Sequence, residues 1–171
     1  MKIISTKRRT TIITLIFLLA GCAADGAKYS DANMPPLEPD KARIFFLRES
    51  GVYASAQTAK IDLDEKRIGS LAVGGYLFAD VPPGKHVAAA SDWWTTSSLT
   101  FQAKPKTITY LNISASPLSS SALLYLGGAA GVVGSIVGVA VASSSEDGFY
   151  KISPLSDSEG KAELTPLSLS Q

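Results

Sequence analysis

Apolar and polar positions change their period several times along this chain, and the changes mark out its elements. Residues 1–9 are basic, with Lys2, Lys7, Arg8 and Arg9. Residues 10–20 follow as an apolar block carrying Ile12, Ile13, Leu15, Ile16, Phe17, Leu18 and Leu19. The block is too short to span a bilayer and has the layout of an export signal. The pattern then lapses over residues 23–41, where Pro35, Pro36 and Pro39 are scattered among charges, and an extended, weakly ordered tether is predicted. At 42–48, Ile44, Phe45, Phe46 and Leu47 run unbroken between Arg43 and Arg48, which predicts a strand buried on both faces.

Strict alternation sets in at 59–64. Ala59, Ile61 and Leu63 point one way and Lys60, Asp62 and Asp64 the other, as in a half-buried strand. Asp64-Glu65-Lys66 is a polar turn, and 67–72 returns as the hairpin partner. After Gly74-Gly75 a strand is predicted at 76–81; Pro82-Pro83-Gly84 then reverses the chain, because proline presets φ and glycine accepts the positive φ of a tight turn. Further strands are expected at 85–90, 99–103 and, after the Lys104-Pro105-Lys106 turn, 107–115. A last strand at 149–153 precedes a short helix at 156–164, capped by Ser156 or Asp157. Short strands at close spacing predict a mainly β fold, a small antiparallel β-sandwich with a short C-terminal helix.

One segment fits neither period. Residues 122–142 form a glycine-rich apolar insertion of 21 residues without a charge, between two serine triplets. As a helix it would measure about 31 Å, the thickness of a bilayer core. Gly127, Gly131 and Ser135 are spaced by four, as are Ala130, Gly134, Gly138 and Ala142. Such rows let helix backbones approach closely, so Gly127, Gly131, Gly134 and Gly138 are candidates for a membrane or helix–helix contact. Against this, each glycine weakens a helix by about 1 kcal/mol relative to alanine, and the valines suit strands with glycines at their bends. A membrane-inserted helix or hairpin, a helix or hairpin packed on the domain, and a flexible loop all remain open.

Leu19-Ala20-Gly21-Cys22 resembles the bacterial lipobox at all four positions. That resemblance implies diacylglycerol on the Cys22 thiol, cleavage between Gly21 and Cys22, and acylation of the new amino terminus. At about 0.8 kcal/mol per buried methylene, two or more acyl chains anchor stably. Ala23 stands where an aspartate would resemble an inner-membrane retention signal, which implies an outer-membrane anchor with the domain facing the periplasm. The expected organisation is a signal peptide at 1–21, a lipidated cysteine and flexible tether at 22–41, and one domain at 42–171.

A second resemblance lies in Ala42-Arg43-Ile44-Phe45-Phe46-Leu47-Arg48, Ile61-Asp62-Leu63-Asp64, Ile68-Gly69, Gly74-Gly75-Tyr76 and Val81-Pro82-Pro83-Gly84-Lys85-His86. Together these look like the bacterial lipoprotein domain of unknown function 2846 and, more distantly, are similar to small prealbumin-like sandwiches. The similarity covers about 41–115, with 149–169 as closing strand and helix. It implies a β-sandwich in the cell envelope and no particular activity. The chain departs from the pattern at Pro105-Lys106, where members tend to have Gly-Lys, and in the run after Ser121, which reads as an insertion.

Composition narrows the chemistry. With 16 Lys+Arg against 15 Asp+Glu there is no field to attract nucleic acid. Removing the four N-terminal cations leaves 12 against 15, a mature net charge of −3 over 150 residues, enough for one domain. Cys22 is the only cysteine and His86 the only histidine, which excludes an intramolecular disulfide and any metal site built on several thiolates or imidazoles. No cofactor is expected. Asp62, Asp64 and Glu65 lack the glycine and terminal glutamate of a calcium loop, and no phosphate loop or nucleophile elbow is present. His86 reads as a structural turn histidine rather than a catalyst. Trp93-Trp94 suits sugar stacking or a membrane interface, but the preferred reading has one indole capping the core and the other partly exposed.

The expected function is therefore that of a non-catalytic binding or scaffolding module. It is held to the membrane through lipidated Cys22, with an envelope protein or peptidoglycan as partner. The alternative is a membrane-active or homo-oligomer-forming lipoprotein that uses residues 122–142. An enzyme is the weakest reading, because no catalytic residues can be assigned.

Overall fold

The structure is a computed structural model that describes residues 23–50, 57–115, 141–145 and 149–171. Its strands are β1 (Ala42–Arg48), β2 (Ala59–Leu63), β3 (Lys66–Leu71), β4 (Gly75–Val81), β5 (Gly84–Ser91), β6 (Thr96–Ala103), β7 (Ile108–Ala115), β8 (Val141–Ser145), β9 (Tyr150–Leu155) and β10 (Ser168–Leu169). One helix, α1 (Asp157–Leu164), precedes β10. They form two five-stranded sheets, ordered β10-β4-β1-β7-β9 and β3-β2-β5-β6-β8. The mainly β sandwich with a short C-terminal helix is thus present. Pairing is antiparallel except for β1 with β7 and β10 with β4, which run parallel.

The unbroken apolar run of β1 has a direct cause. All seven of its residues are buried, since successive side chains of a strand point to opposite faces. Ile44 and Phe46 enter the core between the sheets with Ile61, Leu99, Phe101 and Leu111. Phe45 and Leu47 point the other way, into a second cluster with Tyr76, Tyr110, Leu164 and Leu167. The second sheet needs no such outer cover: in β2 only Ala59, Ile61 and Leu63 are fully buried, as alternation requires. Asp64 and Glu65, at φ 50° and 66°, make the two-residue turn into β3.

Residues 23–34 do not hang free as the expected tether. Ala23 bridges Val73 and Lys28 bridges Ser168. The amides of Ala24, Gly26 and Tyr29 donate to the carbonyls of Val73, Leu169 and Leu167 at 3.1, 3.2 and 2.9 Å. The Tyr29 ring stands edge-on to Phe45 and Tyr76, both at 5.8 Å. Farther along, Arg43 holds Asp80 through two bonds of 2.7 Å and donates to the Pro35 carbonyl at 2.9 Å. The reason is the outer face of the first sheet: Phe45, Leu47, Tyr76 and Tyr110 need a cover, which Tyr29, Met34, Leu164 and Leu167 supply.

α1 completes that cover. Of the two cap candidates it is Ser156 that caps, in a reciprocal box with Glu159, and Gly160 lies so close on Tyr110 that a Cβ there would overlap its ring.

β8 is a strand that only Val141 had suggested. Ser143 to Ser145 had read as the far border of the apolar run, yet with Val141 they pair along β6. A single helix through Ala142 is excluded by that pairing. Gly127, Gly131, Gly134 and Gly138 lie outside the described residues, as do Gly21 and Cys22. Among the described residues no helix is long and apolar enough to cross a membrane.

Candidate functional site

The strand directions give the sandwich two ends. At one lie the start of β4, the end of β3, the β5–β6 connection and the start of β9; at the other lie the β2–β3, β4–β5 and β6–β7 turns. Chemistry-bearing residues occur at both, with opposite character.

His86 sits at the second end, on β5, and is buried. Its Nδ1 lies 2.6 Å from Asp64 Oδ2 and its Nε2 lies 2.8 Å from the Pro82 carbonyl oxygen. A carboxylate and a carbonyl only accept, so both bonds form together when each ring nitrogen carries a proton. Asp64 also accepts the Val87 amide at 2.9 Å. Burial pushes the Asp64 carboxyl up, but the bond from His86, the Val87 amide and the imidazole charge outweigh it and hold the group below its ordinary range. His86 thereby clamps the β2–β3 turn to the β4–β5 turn, with both ring nitrogens engaged. Asp64, which alternation had placed simply toward solvent, is its partner. Among the described residues no three acidic, histidine or cysteine side chains are grouped to hold a metal ion.

The first end carries Trp93 and Trp94, in the connection between the paired residues Ser91 and Thr96. Asp92 organises this loop: its Oδ1 accepts from the amides of Trp94 (2.7 Å) and Thr95 (2.6 Å) and from the Thr95 hydroxyl (3.1 Å). The Thr95 hydroxyl oxygen in turn accepts the Phe149 amide at 2.8 Å, tying the loop to the strand β9 that follows. Burial raises the Asp92 carboxyl, and the bonds from Trp94 and Thr95 more than reverse this, leaving it below the usual carboxylate range.

With the backbone closed inward, both indoles are left outside, Trp93 76% and Trp94 91% exposed. The expectation that one of them caps the core is overturned: four residues joining directly paired strands have no reach back over the sandwich. Lys60, at the start of β2, places its Nζ 4.4 Å from the Trp93 ring centroid. Lys60 and Asp92 were not singled out by sequence reasoning. The signal available was Asp92 itself, a residue that bonds backbone amides two and three positions on and so makes turns.

The N-terminal segment reaches the same end. Ala23, which directly follows Cys22, pairs with Val73 in the β3–β4 connection. Since β3 and β5 are separated only by β2, their ends stand about 10 Å apart. A shallow groove also opens near this end, lined by Glu49, Ser50, Ala162, Glu163, Pro166 and Leu167. Burial raises the Glu163 carboxyl there, and the charges of Glu49 and Glu159 add to the effect.

Residues 38–129, more than half of the chain, match the family described as "Protein of unknown function (DUF2846)". The match continues past Ala115 to residue 129 and so takes in residues 122–129, the first part of the apolar run. It stops short of β9 and α1. No curated protein and no solved structure matches the chain.

Proposed function

The chain belongs to the DUF2846 family, whose function is unknown, and from that premise we propose that it is a lipid-anchored envelope module that binds or scaffolds without catalysing a reaction. The observation that carries this reading is the docking of residues 23–34. With Ala23 paired to Val73, acyl chains on Cys22 would begin at the sandwich itself, and the domain would rest on the membrane that holds it. The commitment of His86 and Asp64 to each other supports a role without acid–base chemistry. The two exposed indoles offer a contact surface of the kind binding modules use. In this reading the anchor lies in the outer membrane, the domain faces the periplasm, and an envelope protein or peptidoglycan is the further partner.

Metabolic labelling with a palmitate analogue, followed by membrane fractionation, tests the anchor. The wild-type chain should carry label and sediment with membranes, and Cys22→Ala should lose the label and the sedimentation together. A mature Cys22→Ala chain that stays on membranes as fully as the wild type would overturn the reading.

A further inference from the structure

We propose that Trp93 and Trp94 are a second membrane contact: the indole tip enters the headgroup region of the bilayer that holds the Cys22 lipid, and so sets the orientation of the domain. This rests on the lipid-anchored reading above and adds to it a surface and a direction. Four observations converge on it.

The first is the pair of indoles itself. Two adjacent tryptophans 76% and 91% exposed leave most of two large rings in water, although each indole typically buries 150–250 Å². An indole combines an apolar ring with one N–H donor, the combination that settles at the water–hydrocarbon boundary. The second is rigidity. Asp92 closes the loop with three bonds, and Thr95 ties it to Phe149. The tip is already in one conformation, so little ordering entropy opposes contact.

The third is charge. The Asp92 carboxylate is engaged within the turn, and the cation that accompanies Trp93 is Lys60. A lysine near an anionic lipid surface contributes about 1 kcal/mol of attraction. The fourth is position. Ala23 and the tip share one end of the sandwich, where the ends of β3 and β5 stand about 10 Å apart, so a bilayer reached by acyl chains on Cys22 lies on the side of the domain from which the indoles project, at high effective concentration. Shape favours a bilayer over a sugar chain. The groove near this end is lined by Glu49, Ser50, Ala162, Glu163, Pro166 and Leu167, whereas the indoles project from a hairpin tip, a form that meets a broad surface rather than enclosing a ligand.

The chain contains no other tryptophan, so its intrinsic emission reports on this loop alone. The experiment uses the mature acylated chain in vesicles of phosphatidylethanolamine and phosphatidylglycerol, with and without brominated acyl chains, and with iodide in the water phase. The expected result is a blue-shifted emission, loss of most of it to brominated lipid, and little quenching by iodide. Strong iodide quenching with no effect of bromine, in protein whose Cys22 acyl groups are seen by mass spectrometry, would overturn the tip contact and leave the anchor standing. Absence of acyl groups on Cys22 would overturn the anchor and this inference with it. Protection from iodide that appears only on adding peptidoglycan would overturn the lipid contact and assign the tip to the cell wall.

Discussion

The two ends of the sandwich treat their polar and aromatic side chains in opposite ways. At the β2–β3 end, the one histidine of the chain is buried with both ring nitrogens bonded, to Asp64 at 2.6 Å and to Pro82 at 2.8 Å. At the β5–β6 end, a comparable set of bonds around Asp92 is spent on the backbone, and the two indoles are left in water. The residue type most associated with chemistry is internally satisfied here, and the residues that look like ordinary core formers are not. A free surface is diagnosed by what the fold leaves unsatisfied rather than by residue identity.

That contrast can be broken or sharpened by mutation, beginning with the largest expected effect. His86→Ala should cost about 2–4 kcal/mol, because it removes two hydrogen bonds and a buried ring. Urea unfolding of the lipid-free Cys22→Ser chain reads this as a lowered midpoint at unchanged slope. Gly160→Ala should follow at about 1–3 kcal/mol, since the new methyl meets the Tyr110 ring, where an open helix position would gain about 1 kcal/mol. The same assay separates loss from gain.

Acid should unlock the histidine end next. The folded Asp64 carboxyl lies below its ordinary value, so its contribution is fully present above about pH 3.9 and is lost as pH falls through the folded value. In Asp64→Asn the stability profile across that window should be flatter, as thermal unfolding in a pH series would record. The smallest effect belongs to the other end. Replacing both Trp93 and Trp94 by alanine should change stability by no more than about 1 kcal/mol, chiefly through loss of the Lys60 contact. A loss as large as that of His86→Ala would mean that the indoles serve the fold and not a partner.

Much of this architecture is written locally. The unbroken run Ile44 to Leu47 announces a strand covered on both faces. The alternation from Ala59 announces β2, and Ser156 and Asp157 announce the start of α1, which the structure caps with Ser156. What escapes local reading depends on distant partners. The parallel pairing of β1 with β7 joins segments far apart in sequence. The docking of residues 23–34 depends on an outer face built by Phe45, Tyr76 and Tyr110, and that segment, with Tyr29 and Met34 as its large apolar side chains, shows no apolar period of its own. The serines of β8 resemble a linker until β6 supplies their pairing. For Trp93 and Trp94, residue type points to the core. Only the direct pairing of Ser91 with Thr96 shows that their loop is too short to return there.

Orientation on the membrane is the point where anchor, tip and histidine end meet in one observable. β5 and β6 span eight residues each, so the tip and the β6–β7 turn stand about 26 Å apart along the strands. With Cys22 occupied by lipid, single-cysteine chains carrying Trp94→Cys or Lys104→Cys accept one fluorophore each, and energy transfer to a headgroup dye measures the height of each position above the bilayer. The expected result is strong transfer from position 94 and weak transfer from position 104. Equal transfer from both, or stronger transfer from position 104, would contradict a domain seated on its tryptophan end.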